Sequence, residues 1–233
     1  MTIEIFDSAN ELALSVSRQL ALRVQSIALA GRTPRLVLTG GTIAGKMYGR
    51  LSNENADWRA VEYWWGDERF VPEGHEDRND RQAREGFLDR LGVPAEHIHA
   101  MPAHGCDLSM AEAADAYAQT LPQDPFDVVL LGVGPDAHIA SLFPGHPQVH
   151  ETERRAVEVF DSPKPPPQRI TLTYPALNHT RATWFVVSGA DKAEAVAKAI
   201  SGAPIDEAPA AGARGLEETV WFLDTEAASR LPR

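Results

Sequence analysis

The segment from Asp127 to Pro147, DVVLLGVGPDAHIASLFPGHP, restricts the fold more than any other part of the chain. Val128 to Leu131 is an uninterrupted run of branched apolar residues. Such a run predicts a strand covered on both faces, as in a parallel sheet. Gly132 and Gly134 follow at once and let the backbone turn sharply at the strand's carboxyl end. Asp136 and His138 ride on that turn, where an open α/β sheet places its ligands. A titratable pair delivered to such a crevice is a candidate site.

The same glycines fit the dinucleotide fingerprint G-x-G-x-x-G/A as Gly132, Gly134 and Ala137, with Asp161 at a tolerable distance for a ribose-binding acid. That reading needs a helix opening at the loop, and Pro144-Gly145 stops anything begun at His138 within about two turns. Pro135 also removes an N–H from the loop that would hold a pyrophosphate. A lone histidine is ordinarily a capping or core residue. Its position at a strand end, beside two glycines and an aspartate, favours a functional one.

Around this stretch, strand and helix patterns alternate. Apolar residues at helical spacing (Leu12, Val16, Leu20, Val24, Ile27) predict a helix over Ala9 to Ala30, capped by Asp7 or Ser8. Strands are expected at Arg35–Thr39, Val61–Trp65, Ala156–Phe160, Ile170–Thr173, Arg181–Ser188 and Thr219–Leu223. Helices are expected at Ile43–Leu51, Asn79–Leu91 and Ser109–Leu121, then from Lys192 to Ile200, with a closing helix over Asp224–Leu231. The expected fold is a Rossmann-like, open, mostly parallel sheet with helices on both faces, forming a single α/β domain over residues 1–233.

The sequence of 233 residues has a formal net charge of −11 and one cysteine, Cys106. No run of 18 apolar residues and no basic-then-apolar amino terminus is present, and a single cysteine suits a reducing compartment. A cytoplasmic protein is expected, with no nucleic-acid or membrane partner, since an acidic chain repels both. A small anionic ligand would need a local basic cluster at the strand ends. Gly40-Gly41-Thr42 lies between a strand and a helix, where free N–H groups and a positive helix end suit a phosphate. The longer Gly40 to Lys46 imitates a P-loop, but Met47 stands where a Mg²⁺-binding hydroxyl is needed. Asp67, Glu68 and Arg69 follow another strand and fall on the same sheet edge. A stiff Ser162-to-Pro167 loop delivers Arg169 to its strand. Lys192 sits in the first turn of a helix, where a cation opposes the dipole unless an anion is bound. His97, His99, His104 and Cys106 match no usual zinc spacing, so no metal is expected.

Taken together, TGGT at 39–42, WWGDERFVP at 64–72, LGVGPDAHIASLFP at 131–144, SPKPPPQRITLTYPALN at 162–178 and SGADKAEAV at 188–196 resemble the 6-phosphogluconolactonase family. They occur in that family's order over nearly the whole chain. The family belongs to a sugar-phosphate fold group that also holds glucosamine-6-phosphate deaminases and ribose-5-phosphate isomerases. The chain departs from the family pattern at Ile43, at Ala137 in place of a glycine, and at Arg78 before Asn79, where a serine is usual.

The resemblance implies hydrolysis of 6-phospho-D-glucono-1,5-lactone to 6-phosphogluconate in the oxidative pentose phosphate route, without cofactor, metal or obligatory protein partner. A lactone is an activated ester, so water needs only a general base and a stabilised oxyanion. His138 suits the first task and Arg69, with backbone N–H groups, the second. Asp67 would orient Arg69 or the substrate hydroxyls, and Asp136 would fix the loop carrying His138. Gly40, Gly41, Thr42, Arg169 and Lys192 would grip the phosphate, with Asn79 and Lys164 in support. Arg69 could serve either end of the ligand. Two rivals follow from the same fold: a deaminase or isomerase with Asp67 as base, and a non-catalytic sugar-phosphate-binding module.

Overall fold

The computed structural model describes residues 1–232. Six parallel strands form the main sheet: β1 (Thr2–Phe6), β2 (Arg35–Leu38), β3 (Glu62–Trp65), β5 (Phe126–Leu131), β8 (Thr180–Val187) and β9 (Glu218–Asp224), in the order β1-β9-β8-β5-β2-β3. Side-chain alternation along the central strands explains their apolar runs. In β5, Val128 and Leu130 face one core while Val129 and Leu131 face the other. In β8, Trp184 and Val186 face the first core and Phe185 and Val187 the second. Both faces are covered, as the uninterrupted run requires.

One core lies under α1 (Ala9–Leu29), α2 (Thr42–Tyr48) and a helical run over 79–91. Ser8, not Asp7, caps α1, its side chain accepting from the Glu11 N–H. The 79–91 run comprises α3 (Asn79–Ala83), a π turn (Arg84–Leu88) and α4 (Asp89–Leu91), with Phe87, Leu88 and Leu91 buried as the pattern requires. The second core lies under α5 (Met110–Thr120), α6 (Tyr174–Leu177) and α7 (Ala193–Ile200). A reciprocal capping box between Ser109 and Glu112 opens α5.

Three features depart from the expected pattern. β1 adds a sixth strand at the edge. Asp67–Arg69 is itself a strand, β4, in a separate antiparallel sheet of order β4-β7-β6, with β6 at Ala156–Val159 and β7 at Arg169–Leu172. Residues 225–230 form turns rather than a closing helix. The Asp224 carboxylate takes the Ala227 N–H, as well as Ser188 and Gly189, so the chain winds around an anchor instead of propagating.

Candidate active site

The chain leaves β2 toward β3 on one side and β5 toward β8 on the other, so the loops after β2 and β5 diverge. A crevice must open between those strands at their carboxyl ends. A cleft of about 560 Å³ opens there. It brings together Gly40, Gly41 and Thr42 after β2, Asp67, Arg69 and Asn79 after β3, and His138 after β5. Lys46, Lys164, Arg169 and Lys192 complete its basic lining. These residues come from five separate stretches of chain.

His138 Nδ1 lies 2.5 Å from Asp136 Oδ1, and Lys164 Nζ lies 3.6 Å from the same oxygen. Burial pushes the Asp136 carboxyl up, but the hydrogen bond and charge of His138, together with Lys164, outweigh it and hold the group well below the usual carboxylate range. The ionised carboxylate takes the Nδ1 proton, which leaves Nε2 with the lone pair. The loop is closed by Gly134 N–H donating to the His138 carbonyl and Ala137 N–H to the Gly134 carbonyl. A Cβ on Gly134 would sit 1.9 Å from His138 Nδ1 and 2.4 Å from Asp136 Oδ1, so only glycine admits the pair. Ala137 (φ 65°) and Ala140 (φ 47°) hold left-handed backbone on either side of the histidine. That conformation costs an alanine on the order of 1–2 kcal/mol, and here the surrounding hydrogen bonds enforce it.

The register of β4 on β7 sets Arg69 directly opposite Arg169. Like charges so placed are unfavourable and need anionic company. Asp67 supplies part of it, with Oδ2 3.6 Å from Arg169 Nη1 and accepting from Ser141 Oγ at 2.6 Å. Arg69 is held not by Asp67 but by Asn79, whose Oδ1 lies 2.5 Å from Arg69 Nη1. The Asn79 carboxamide N–H groups reach the Asp67 carbonyl and carboxylate. Arg69 Nε is buried with no partner. Arg169 spends Nε and Nη2 on the carbonyls of Pro166 and Lys164, so its guanidinium also shapes the proline loop.

The glycine turn is built differently from a simple cradle. Gly41 N–H already donates to Gln82 Oε1, and Gly41 C=O accepts from Gln82 Nε2, both at 3.0 Å. Gly40 must be glycine because a Cβ there would lie 1.9 Å from Asn79 Oδ1. Thr42, Ile43 and Lys46 face the cleft beyond this turn, whereas Met47 is buried in the core. Lys192 pairs with Asp191 at 2.8 Å. The histidines set apart from the cleft have other partners: His99 stacks on Trp64 with ring centroids 4.1 Å apart, and His97 contacts the Arg59 carbonyl.

A family model described as glucosamine-6-phosphate isomerases/6-phosphogluconolactonase matches residues 7–221. The chain belongs to that family. It is 45% identical to a 6-phosphogluconolactonase of Streptomyces coelicolor over 240 residues, covering 95% of this chain and 91% of the relative. It is 44% identical to a 6-phosphogluconolactonase of Mycobacterium tuberculosis over 243 residues, covering 99% and 98%. The solved 6-phosphogluconolactonase of Trypanosoma brucei superposes with a TM-score of 0.82 at 27% identity, covering 99% of this chain and 98% of that one.

Within this family frame, the sequence placed Glu68 at the site's edge without a role, and Gln82, Ser141 and Asp224 went unrecognised as builders of the site. Glu68 carried the one available signal, an acid between two charged neighbours at a strand end. Ser141 and Gln82 carried none, because their partners lie 74 and 41 residues away.

Proposed function

We propose that the chain hydrolyses 6-phospho-D-glucono-1,5-lactone to 6-phospho-D-gluconate in the oxidative pentose phosphate route, as a cytoplasmic enzyme acting through one domain without cofactor or metal. The observation that carries the site assignment is the Asp136–His138 pair at the rim of a cleft whose floor sets Arg69 against Arg169. His138 Nε2 takes a proton from water as its oxygen attacks the lactone carbonyl carbon. Charge developing on the carbonyl oxygen meets the Arg69 guanidinium, which lines the cleft, and nearby backbone N–H groups. The imidazolium then returns its proton to the ring oxygen as the carbon–oxygen bond breaks, giving a carboxylic acid that ionises. Asp136 supports the imidazolium stage by its fixed negative charge. The substrate phosphate is taken by Lys192, Thr42 and the field of Arg169, with Lys164 at the rim; a point charge and a fork suit a terminal phosphate.

The deaminase or isomerase reading requires a carboxylate free to move a carbon-bound proton. Asp67 is the one acid on the cleft floor suited to it. Its oxygens are engaged by Ser141, Asn79 and Arg169, which makes it an organiser of the site rather than a base. A binding module would have no use for a histidine held in one tautomer.

The test is proton release from freshly generated lactone, compared with its spontaneous decay, for the wild type and His138→Ala. The wild type should accelerate decay, and the variant should lose about two to four orders of magnitude in kcat while binding 6-phosphogluconate within a few fold of wild type. An unchanged kcat in the variant would end the general-base assignment. A wild type no faster than background would end the lactonase reading.

A further inference from the structure

Glu68 is the deepest charged residue beside the cleft. Its side chain is 1% exposed, yet it touches none of the space where substrate binds. Oε1 accepts from the backbone N–H groups of Arg69 and Asn79, each at 2.8 Å, and Oε2 accepts from Asp80 N–H at 2.9 Å. One carboxylate therefore ties β4 to the first turn of α3. That turn presents Asn79, and the Asn79 side chain in turn holds Arg69 Nη1 and Asp67. Asp67 then holds Arg169 and Ser141. Both arginines of the cross-strand pair are thus placed through a chain of contacts that starts at Glu68. Gly40 makes room for that relay, since any side chain there would strike Asn79.

We infer that Glu68, in its ionised form, is a positioning residue that sets Arg69 and Arg169 for the substrate, and so governs both substrate affinity, through Arg169, and oxyanion stabilisation, through Arg69. The inference rests on the lactonase reading above. Its physical basis is the acceptor count. Both oxygens face N–H donors, so a proton on either one, or the NH₂ of a glutamine, sets donor against donor and forces that contact open. Burial pushes the Glu68 carboxyl up to about 7, and Arg78 and the Asn79 and Asp80 N–H groups offset only part of this. The charged and titratable groups that face it are Arg78 at 3.9 Å, Asp80, Arg169 and Tyr117. Arg78 is itself fixed by Asp80 and the Met101 carbonyl, so it offers little freedom to follow a change at Glu68.

The test is Glu68→Gln, with lactone kinetics and calorimetric binding of 6-phosphogluconate measured from pH 6 to 8.5. At pH 8.5 the variant should show KM and product Kd raised about tenfold, the scale of one lost charge-assisted contact, and kcat lowered about tenfold as Arg69 leaves the oxyanion. Wild-type KM should climb toward the variant's value as pH falls through 7, whereas the ratio of the two should be flat if Glu68 only supports the fold. Asn79→Ala, one step along the relay, should give a similar loss, and the double variant no more than the larger single one. It also serves alone if Glu68→Gln does not fold. A folded Glu68→Gln with KM and Kd within twofold of wild type at every pH, or an Asn79→Ala with unchanged KM, would overturn the assignment. A wild type that neither hydrolyses the lactone nor binds 6-phosphogluconate would bring down the lactonase reading and this inference with it. An active wild type beside an unaltered variant would bring down this inference alone.

Discussion

At the scale of single residues, the proposed mechanism turns on which nitrogen of His138 carries a proton. Asp136 settles this by holding Nδ1 at 2.5 Å, a closer contact than the 3.4 Å from Lys164 Nζ to the same nitrogen. Replacing Asp136 by asparagine would keep the shape but remove the charge that stabilises the imidazolium. It would also offer an NH₂ that can stabilise the wrong tautomer. Asp136→Asn should therefore lower kcat by about two orders of magnitude with KM within a few fold of wild type, read from initial rates at saturating lactone. A variant whose loss lay wholly in KM would show that Asp136 serves binding instead. This pair was legible in the sequence because its members stand two residues apart, on a glycine turn after an apolar strand. The role of Glu68 was not: D-E-R reads as charge at the site's edge, and only the fold shows its partners, 11 and 12 residues on, closing over a buried carboxylate.

At the scale of elements, five strands of the main sheet and two of the three in the small one were readable, whereas β1 and β4 were not. Long apolar runs such as β5 and β8 announce two covered faces. By contrast, β4 spans three residues, carries only charges and pairs with a segment about a hundred residues later. No local pattern specifies such a strand; its partner does. The hinge between the two sheets lies at Trp65–Gly66–Asp67, and Tyr117 fixes it. The Tyr117 hydroxyl accepts from Trp65 N–H at 2.8 Å and donates to Trp65 C=O at 3.0 Å, joining α5 to the end of β3. Tyr117→Phe would leave both backbone groups buried without a partner, a cost of about 1–3 kcal/mol. The expected readout is a lower melting midpoint, by roughly 2–4 °C per kcal/mol for a chain of this size. An unchanged midpoint would mean that water or a shifted strand replaces the hydroxyl.

At the scale of the whole molecule, function and stability pull Glu68 in opposite directions, and pH separates them. The folded pKa lies near 7, against an ordinary value of 4.5. Between those limits the folded chain binds more proton than the unfolded one, so this group's contribution to stability is fully present below about 4.5 and is lost as pH rises through 7. The shift corresponds to about 3 kcal/mol if all of it is realised. The carboxylates held below their ordinary range, Asp136 foremost, act in the other sense: their contribution persists until pH falls below that range, outside this window. His99, held below its ordinary value of 6.5 by burial, loses its contribution on acidification within the window, but it does so equally in a Glu68 variant. The difference in melting midpoint between wild type and Glu68→Gln therefore isolates the one carboxyl. It should widen in favour of the wild type by several degrees as pH falls from 8 to 5, over the same range in which wild-type KM rises. A difference that stays constant would place the folded pKa outside this range. In that case the ionised carboxylate would be the only form present at neutral pH, and the relay to Arg69 and Arg169 would be fixed rather than titratable.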